Sequence, residues 1–208
     1  MGQLDTIFRN YTDPFGYLAS QGRMYRFSGA ALNTTATGAT SFATTSPTFI
    51  AIVKAGVQFA LIPAECRLFQ AGTVAGGAIT YLMESDNANR YTSGGTALLS
   101  QNAKTDGPTL ASLLAAAGDI AMYDTNGSAI LAADAVGIRM DGALLGQDVS
   151  PAEGAVNSVV WSPVAGPDIL APTASVGASW IINTSAGTTG PTWLYSFKVA
   201  VVPLSWLT

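Results

Sequence analysis

The sequence Thr192-Trp193-Leu194-Tyr195-Ser196-Phe197-Lys198-Val199-Ala200-Val201-Val202 decides the fold class of this chain. Every second side chain in it is large and apolar, namely Trp193, Tyr195, Phe197, Val199 and Val201. Successive side chains of a β-strand point to opposite faces, so these five share one face. The stretch therefore predicts a strand with one face buried in a core.

A second alternating stretch comes shortly before the first. Over residues 176–183, one face carries Val176, Ala178, Trp180 and Ile182. Residues 184–191 join the two stretches, and strands that follow each other in sequence usually lie side by side. We therefore expect these two strands to pair and to supply much of the core.

Further short apolar stretches, separated by Gly, Pro and Asn signals, continue the pattern upstream. They predict strands over 23–28, 48–54, 57–62, 67–71, 78–84, 96–100, 119–125, 128–134, 136–145 and 156–161. About ten short strands with hardly any helix indicate an antiparallel, all-β sandwich or barrel. A chain of 208 residues suits one such domain, so residues 21–208 are assigned to a single β-sandwich.

Two local signals refine this expectation. One helix is predicted over residues 108–117, because Pro108 suits a first helical turn and Gly118 suits the position just after a helix. Asn126-Gly127 predicts a tight hairpin, since a type I′ turn needs positive φ at both central residues. The expected fold has at most one short helix.

Residues 1–20 are expected to form an extended N-terminal arm. Pro14 and Gly16 interrupt any helix there, and the large apolar side chains do not alternate. Exposed apolar groups on a loose terminus need a partner to cover them. Partner-binding residues are therefore predicted at Phe8, Tyr11, Phe15 and Tyr17. The alternative is a terminal strand that completes the sheet of its own domain.

Composition excludes several function classes. The chain has no His and one cysteine, Cys66, which removes the usual general base, the usual metal ligand and any disulfide within the chain. Its nine Lys and Arg are scattered, whereas nucleic-acid binding needs clustered cations. The uncharged stretches 27–53 and 169–197 are too interrupted for membrane helices, and no signal-peptide pattern is present. We expect no enzyme activity, no cofactor, no metal, no nucleic acid and no membrane.

The low charge content points to assembly. Charged residues make up 11% of the chain and the net charge is −4. Because charge is what keeps proteins apart, a surface this neutral associates readily. We therefore expect the chain to work inside an assembly, with a monomer coated in Thr and Ser as the alternative.

Two groups of acidic residues suggest chemistry that their context does not support. Residues 124–128 begin like a calcium loop, but Ala129 and Ala135 stand where that loop needs Gly and Glu. A hairpin turn is the better interpretation. Glu84 and Asp86 share a strand face, as the carboxylate pair of a glycosidase could be arranged. A solvated strand end is the simpler explanation.

The polar loop 85–95 contains the last two candidate site residues, Arg90 and Tyr91. Its Asn, Arg, Tyr and Gly content suits a sugar site. It suits equally well an ordered surface loop, held by Asx turns, that contacts a neighbouring subunit. We favour the second interpretation and predict that Arg90 and Tyr91 bind a partner protein.

The segment Arg90-Tyr91-Thr92-Ser93-Gly94-Gly95-Thr96-Ala97-Leu98 and the pattern Trp193-Leu194-Tyr195-Ser196-Phe197-Lys198-Val199 carry a family resemblance. With the Thr-, Gly- and Ala-rich composition, they resemble tailed-bacteriophage virion proteins, in particular jelly-roll capsid cement (decoration) proteins. The resemblance covers residues 48–203. It implies a jelly roll, self-association into dimers or trimers, and binding at junctions between major capsid protein subunits. The family has no catalytic motif.

The expected function is therefore that of a virion structural protein, made in the host cytoplasm and placed on the capsid exterior. By bridging major capsid subunits it would stabilise the phage head, because separating the subunits would also break its own repeated contacts. One alternative is another phage virion module, such as a head fibre, tail or baseplate part, that binds carbohydrate. A more distant one is a glycosidase or lectin unrelated to phage.

Overall fold

The computed structural model describes residues 2–31, 33–43, 45–71, 76–125, 137–147, 157–163 and 166–208. Three short α-helices lie within these ranges, together with a 3-10 helix at Leu204–Trp206: α1 Gln3–Asn10, α2 Pro14–Ser20 and α3 Leu110–Leu113. The strands there are β1 Met24–Ser28, β2 Thr35–Thr37, β3 Phe49–Val53, β4 Phe59–Gln70, β5 Ala78–Asp86, β6 Thr96–Ala97, β7 Leu99–Asn102, β8 Ile120–Asp124, β9 Gly137–Gln147, β10 Ser158–Trp161, β11 Ala178–Ser185 and β12 Thr192–Pro203.

These strands form two antiparallel sheets that pack face to face around one core. Sheet A has the order β10-β4-β12-β1-β7, with β2 also beside β12, and sheet B has the order β6-β8-β3-β11-β5-β9. The predicted all-β antiparallel sandwich is confirmed.

Eight of the strands pair in the nested order of a jelly roll. β1 pairs with β12, β3 with β11, β4 with β10 and β5 with β9. Successive pairs fall alternately in sheets A and B, as when one long hairpin is rolled up. The inserted strands β7 and β8 extend sheets A and B by pairing with β1 and β3. The expected jelly-roll topology is therefore present.

The central strand β12 shows the predicted alternation. The side chains of Trp193, Tyr195, Phe197, Val199 and Val201 are at most 9% exposed and belong to the core between the sheets. From sheet B, the ring of Phe49 lies 4.9 Å from that of Phe197, and Trp180 meets Phe197 edge to face at 6.0 Å. Offset and edge-to-face geometries are the favoured ones for aromatic pairs, so this contact ties the two sheets together.

The expected pairing of β11 with β12 is wrong. β11 lies between β3 and β5 in sheet B, whereas β12 lies between β4 and β1 in sheet A. The connection 184–191 therefore crosses from one sheet to the other. Both strands have one strongly apolar face, and facing each other across the core buries both of these faces.

The strands predicted separately over 57–62 and 67–71 are one strand in the structure, because β4 runs through Pro63. Opposite it, the register between β12 and β4 shifts at Lys198/Val199, and Val199 stands across from Pro63. Such an irregularity leaves a backbone position without a regular ladder bond, which suits a residue that has no N–H to donate. The buried thiol of Cys66 lies further along the same strand.

The helix predicted over 108–117 is shorter in the structure. Thr109 caps α3, since its side-chain oxygen accepts a hydrogen bond from the backbone N–H of Ser112 at 3.2 Å. Leu114 is already extended, with ψ 149°. The Asn126-Gly127 hairpin lies outside the described residues, and so does the strand predicted over 128–134.

The expectation of an extended N-terminal arm is wrong, and so is that of at most one short helix. Residues 3–20 form α1 and α2. Asp13 makes this possible by accepting a hydrogen bond from the backbone N–H of Gly16 at 2.8 Å, while Pro14 occupies the first turn, where proline is tolerated. Among the residues that the structure describes, no helix is long and apolar enough to cross a membrane.

The two helices cover part of the outer face of sheet A. Their buried side chains Leu4, Ile7 and Leu18 pack with Met24, Ala60, Ile62, Ala64, Ala200 and Val202, a set we call the N-terminal cluster. Leu204, Trp206 and Leu207 at the end of the chain pack against the same cluster. Sheet A is thus sandwiched between the main core and these helices.

Candidate interaction surface

The four aromatic residues predicted to bind a partner from the N-terminal segment make contacts within the chain. Phe8 and Phe15 meet edge to face at 5.5 Å, and Tyr11 stacks on Tyr17 at 4.2 Å. Phe8, Phe15 and Tyr17 are partly buried against the N-terminal cluster. Tyr11, at 45% exposed, is the one of the four that is open to solvent.

Arg90 and Tyr91 lie on the opposite side of the molecule, over the outer face of sheet B. The Arg90 Nε atom donates a hydrogen bond to Asp86 Oδ2 at 2.7 Å. The Tyr91 ring stacks on Tyr123 at 4.4 Å, and its hydroxyl donates to the Gly94 carbonyl at 2.9 Å. The structure therefore does not bring the six predicted residues together into one site.

The loop that contains them is ordered by the expected Asx turns. Asp86 Oδ1 accepts from the Ala88 N–H, and Asn89 Oδ1 accepts from the Tyr91 N–H, both at 3.1 Å. The Ser179 hydroxyl adds a bond of 2.8 Å to the Ala88 carbonyl. The prediction of a loop held by Asx turns is confirmed, and its contact with a neighbouring subunit stays a prediction.

Glu84 and Asp86 do not form a solvated strand end, so that expectation is wrong. Their side chains lie on the outer face of β5, where Glu84 is 6% exposed and Asp86 is fully buried. Asp86 is held by Arg90, whereas Glu84 Oε1 has no hydrogen-bond partner among the described residues. A buried carboxyl without a partner favours its neutral form.

Burial raises the pKa of Glu84 above its usual value of 4.5, and repulsion from Asp86 adds to this, while Arg90 acts in the opposite direction. A raised pKa means that the folded state holds the proton more tightly than the unfolded state. The corresponding stability is present below pH 4.5 and is lost as the pH rises through the raised pKa. Glu84→Gln is therefore expected to raise the Tm at pH 7 and to flatten its pH dependence above pH 4.5.

Glu65→Gln is the matched control, because its expected effect on the Tm at pH 7 has the opposite sign. Burial raises the pKa of Glu65, but hydrogen bonds from Arg67 and Lys198 outweigh that effect and lower it overall. Removing the charge of Glu65 should therefore lower the Tm at pH 7. Thermal unfolding followed by circular dichroism between pH 4 and pH 8 measures both variants. A lower Tm for Glu84→Gln at pH 7 would contradict the assignment of Glu84 as a destabilising buried acid.

The part of sheet A that the helices leave uncovered, called here the exposed face, carries large apolar side chains. These are Phe69 at 41% exposed, Leu99 at 49%, Val160 at 63% and Leu194 at 36%. Leu194 stands directly opposite Phe69, and Val160 is opposite Arg67, the outward neighbour of Phe69 on β4. Three of the four are thus adjacent on the sheet, and Leu99 lies on the edge strand β7.

The exposed face also carries a cationic centre. Glu65 accepts hydrogen bonds from Arg67 at 2.8 Å and from Lys198 at 3.0 Å. Arg26 pairs in register with Lys198 on one side and with Gln101 on the other, and it has no ion pair among the described residues. Among the residues that the structure describes, three cations and one carboxylate give this centre a formal charge of +2, in a chain whose net charge is −4.

A groove opens where the exposed face meets residues 29–31 and Thr34, which follow β1. It has a volume of about 450 Å³, with Arg26, Leu99 and Leu194 among its lining residues. This face was not predicted from the sequence. One signal was available, since Leu194 is an apolar residue on the outward side of the alternating strand β12. Phe69 and Val160 gave no such signal, because their outward orientation depends on sheet register.

The comparisons with known proteins add little to this geometry. No family model matches the chain, and no curated protein matches it. One structural match is to a chain of the structure of infectious bursal disease virus Gx strain, with a TM-score of 0.17 and 14% identity. It covers 89% of this chain and 43% of that chain, and a similarity this weak carries no argument about fold or function.

Proposed function

We propose that the protein is a non-enzymatic virion structural protein, a capsid cement (decoration) protein that stabilises a phage head from outside by bridging major capsid subunits. The observation that carries the proposal is the exposed face. Single apolar side chains on a surface are ordinary, but a group of them on one rigid sheet marks an interaction site. A sheet whose inner face is fixed by the core presents such a group at a small ordering cost.

Two properties of the sequence support the same function. Because only 11% of the residues are charged, the surface of this protein is largely neutral, and such a surface associates readily with other proteins. The resemblance of residues 90–98 and 193–199 to jelly-roll cement proteins supplies the capsid as the partner. The jelly-roll topology agrees with this function without requiring it, since the fold hosts many unrelated functions.

Binding to empty shells tests the proposal. The shells are assembled from the major capsid protein of the same genome, and the protein is pelleted with them by sedimentation. The wild type should pellet at a fixed ratio, and Val160→Glu should weaken binding by about tenfold or more, because it places a charge in an apolar contact. Val176→Glu is the matched control, as Val176 is 44% exposed but lies outside the exposed face. Failure of the wild type to pellet would contradict the proposal.

Self-association is a separate expectation. The low charge and the exposed apolar groups predict a dimer or trimer in solution at micromolar concentration. Sedimentation equilibrium between 1 and 100 µM, roughly the range over which weak interfaces form, measures the mass directly. A species with the mass of one chain across this range would show that free copies do not associate.

A further inference from the structure

The groove beside Arg26 combines a cation that has no ion pair among the described residues with a mixed lining, in which apolar side chains alternate with polar ones such as Thr34 and Gln101. Leu99 and Leu194, 49% and 36% exposed, stand among the residues that line it. Ala30 and Ala31, which follow β1, also line it. Its volume of about 450 Å³ is within the usual range for binding clefts, which is about 300–1,000 Å³. A short segment of another protein fits such a space.

Arg26 differs from the other cations of the exposed face. Arg67 and Lys198 share Glu65, whereas Arg26 has no acceptor among the described residues. A guanidinium presents a planar fork of donors that matches a carboxylate, and the pair is stronger where apolar groups keep water away. The groove therefore has the chemistry to recognise a carboxylate that is flanked by apolar side chains.

The charge of the exposed face argues against a second copy binding through the same face. Two identical faces, each with a formal charge of +2 from Arg26, Arg67, Lys198 and Glu65, would repel each other. A complementary partner must bring negative charge. The apolar flanks favour a protein segment as the occupant, since a free small anion would leave Leu99 and Leu194 uncovered.

We propose that this groove binds an acidic segment of a partner protein, which presents a carboxylate to Arg26 and apolar side chains to Leu99 and Leu194. The identity of the partner rests on the proposed function, under which the segment belongs to the major capsid protein. The groove thereby sets the orientation of the protein on the shell, while the neighbouring apolar residues of the exposed face add contact area.

Two measurements test the proposal. In the first, Arg26→Glu should weaken binding to empty shells by about tenfold or more, because a like charge then faces the carboxylate. Lys104→Glu is the matched control, since it makes the same charge change at an exposed lysine outside the groove. Both variants should keep the wild-type Tm. Equal shell binding by Arg26→Glu and the wild type would overturn the proposal.

The second measurement does not depend on shells. The wild type is titrated with acetyl-Leu-Asp-Leu-Glu-Leu-amide and with its neutral analogue acetyl-Leu-Asn-Leu-Gln-Leu-amide, and amide chemical shifts are recorded. The acidic peptide should shift the amides of Leu99 and Leu194, the neutral peptide should not, and Arg26→Glu should abolish the effect. Equal shifts from both peptides, or none from the acidic one, would overturn the groove proposal. If the wild type fails to bind shells but responds to the acidic peptide, the proposed function fails and the groove stands.

Discussion

Replacing Phe197 with Ala is expected to lower the free energy of unfolding by about 3–5 kcal/mol, as for large buried aromatic residues in general. Phe197 is fully buried at the centre of β12, and its ring contacts those of Phe49 and Trp180 in the opposite sheet. Truncation removes these contacts and leaves a cavity that a sheet on either side cannot collapse to fill. Urea unfolding followed by Trp fluorescence measures the change.

Leu194→Ala is the matched control for this experiment. Leu194 lies on the same strand as Phe197 but on the opposite face and is 36% exposed. Its replacement should cost less than about 1 kcal/mol, as at exposed sites generally. Trp193→Ala should resemble Phe197→Ala, because Trp193 is also fully buried. In addition, it removes a hydrogen bond of 2.9 Å from the indole to the Thr184 hydroxyl. Similar small losses for Phe197→Ala and Leu194→Ala would show that the inward face of β12 is assigned wrongly.

Deleting residues 1–20 is expected to unfold or aggregate the protein. The deletion removes Leu4, Ile7 and Leu18 from the N-terminal cluster and exposes Ile62 and Val202 on the outer face of sheet A. Buried side chains of this size stabilise the folded state by roughly 1.5–3 kcal/mol each. Losing three of them removes about 4.5–9 kcal/mol, which is a large part of a typical stability of about 5–15 kcal/mol. If residues 1–20 formed an extended arm, the truncated protein would keep the Tm of the wild type. Size-exclusion chromatography and thermal unfolding distinguish the two outcomes.

Point substitutions give a graded version of the same test. Leu18→Ala, at a fully buried position, should cost about 2–5 kcal/mol. Tyr11→Ala, at a position 45% exposed, should cost less than about 1 kcal/mol. A truncated protein that keeps the wild-type Tm, together with a neutral Leu18→Ala, would mean that the helices do not stabilise sheet A.

Most strands were predictable because alternation is a local property. The periodic apolar residues of β12, with Trp180 and Ile182 of β11, identified the inward faces of two central strands. The same reasoning predicted the Asx turns of the 85–95 loop, since an Asx turn involves neighbouring residues only. The errors at Pro63 and in the helix predicted over 108–117 arose where a bulge or a cap, set by a few atoms, decides whether an element continues.

The candidate surface was less accessible to sequence reasoning. Phe69 and Val160 are apolar residues in strands, and their local sequence does not show whether another element covers them. The burial of Glu84 follows from a loop that folds back over sheet B, and its raised pKa follows from that burial. The exposure of a strand residue depends on which element packs over the strand, and that element is often far away in sequence.

The sequence by itself determined the all-β class and which side chains of β11 and β12 face the core, because side-chain direction alternates along any single strand. Only the tertiary structure decided which strands are neighbours. β11 and β12 follow each other in the chain, yet they lie in different sheets, since facing each other buries Trp180 against Phe197. Only the tertiary structure, too, decided that α1 and α2 cover part of sheet A and leave Phe69, Leu194 and Arg26 open, because these helices are remote in sequence from the strands β4 and β12 that they cover.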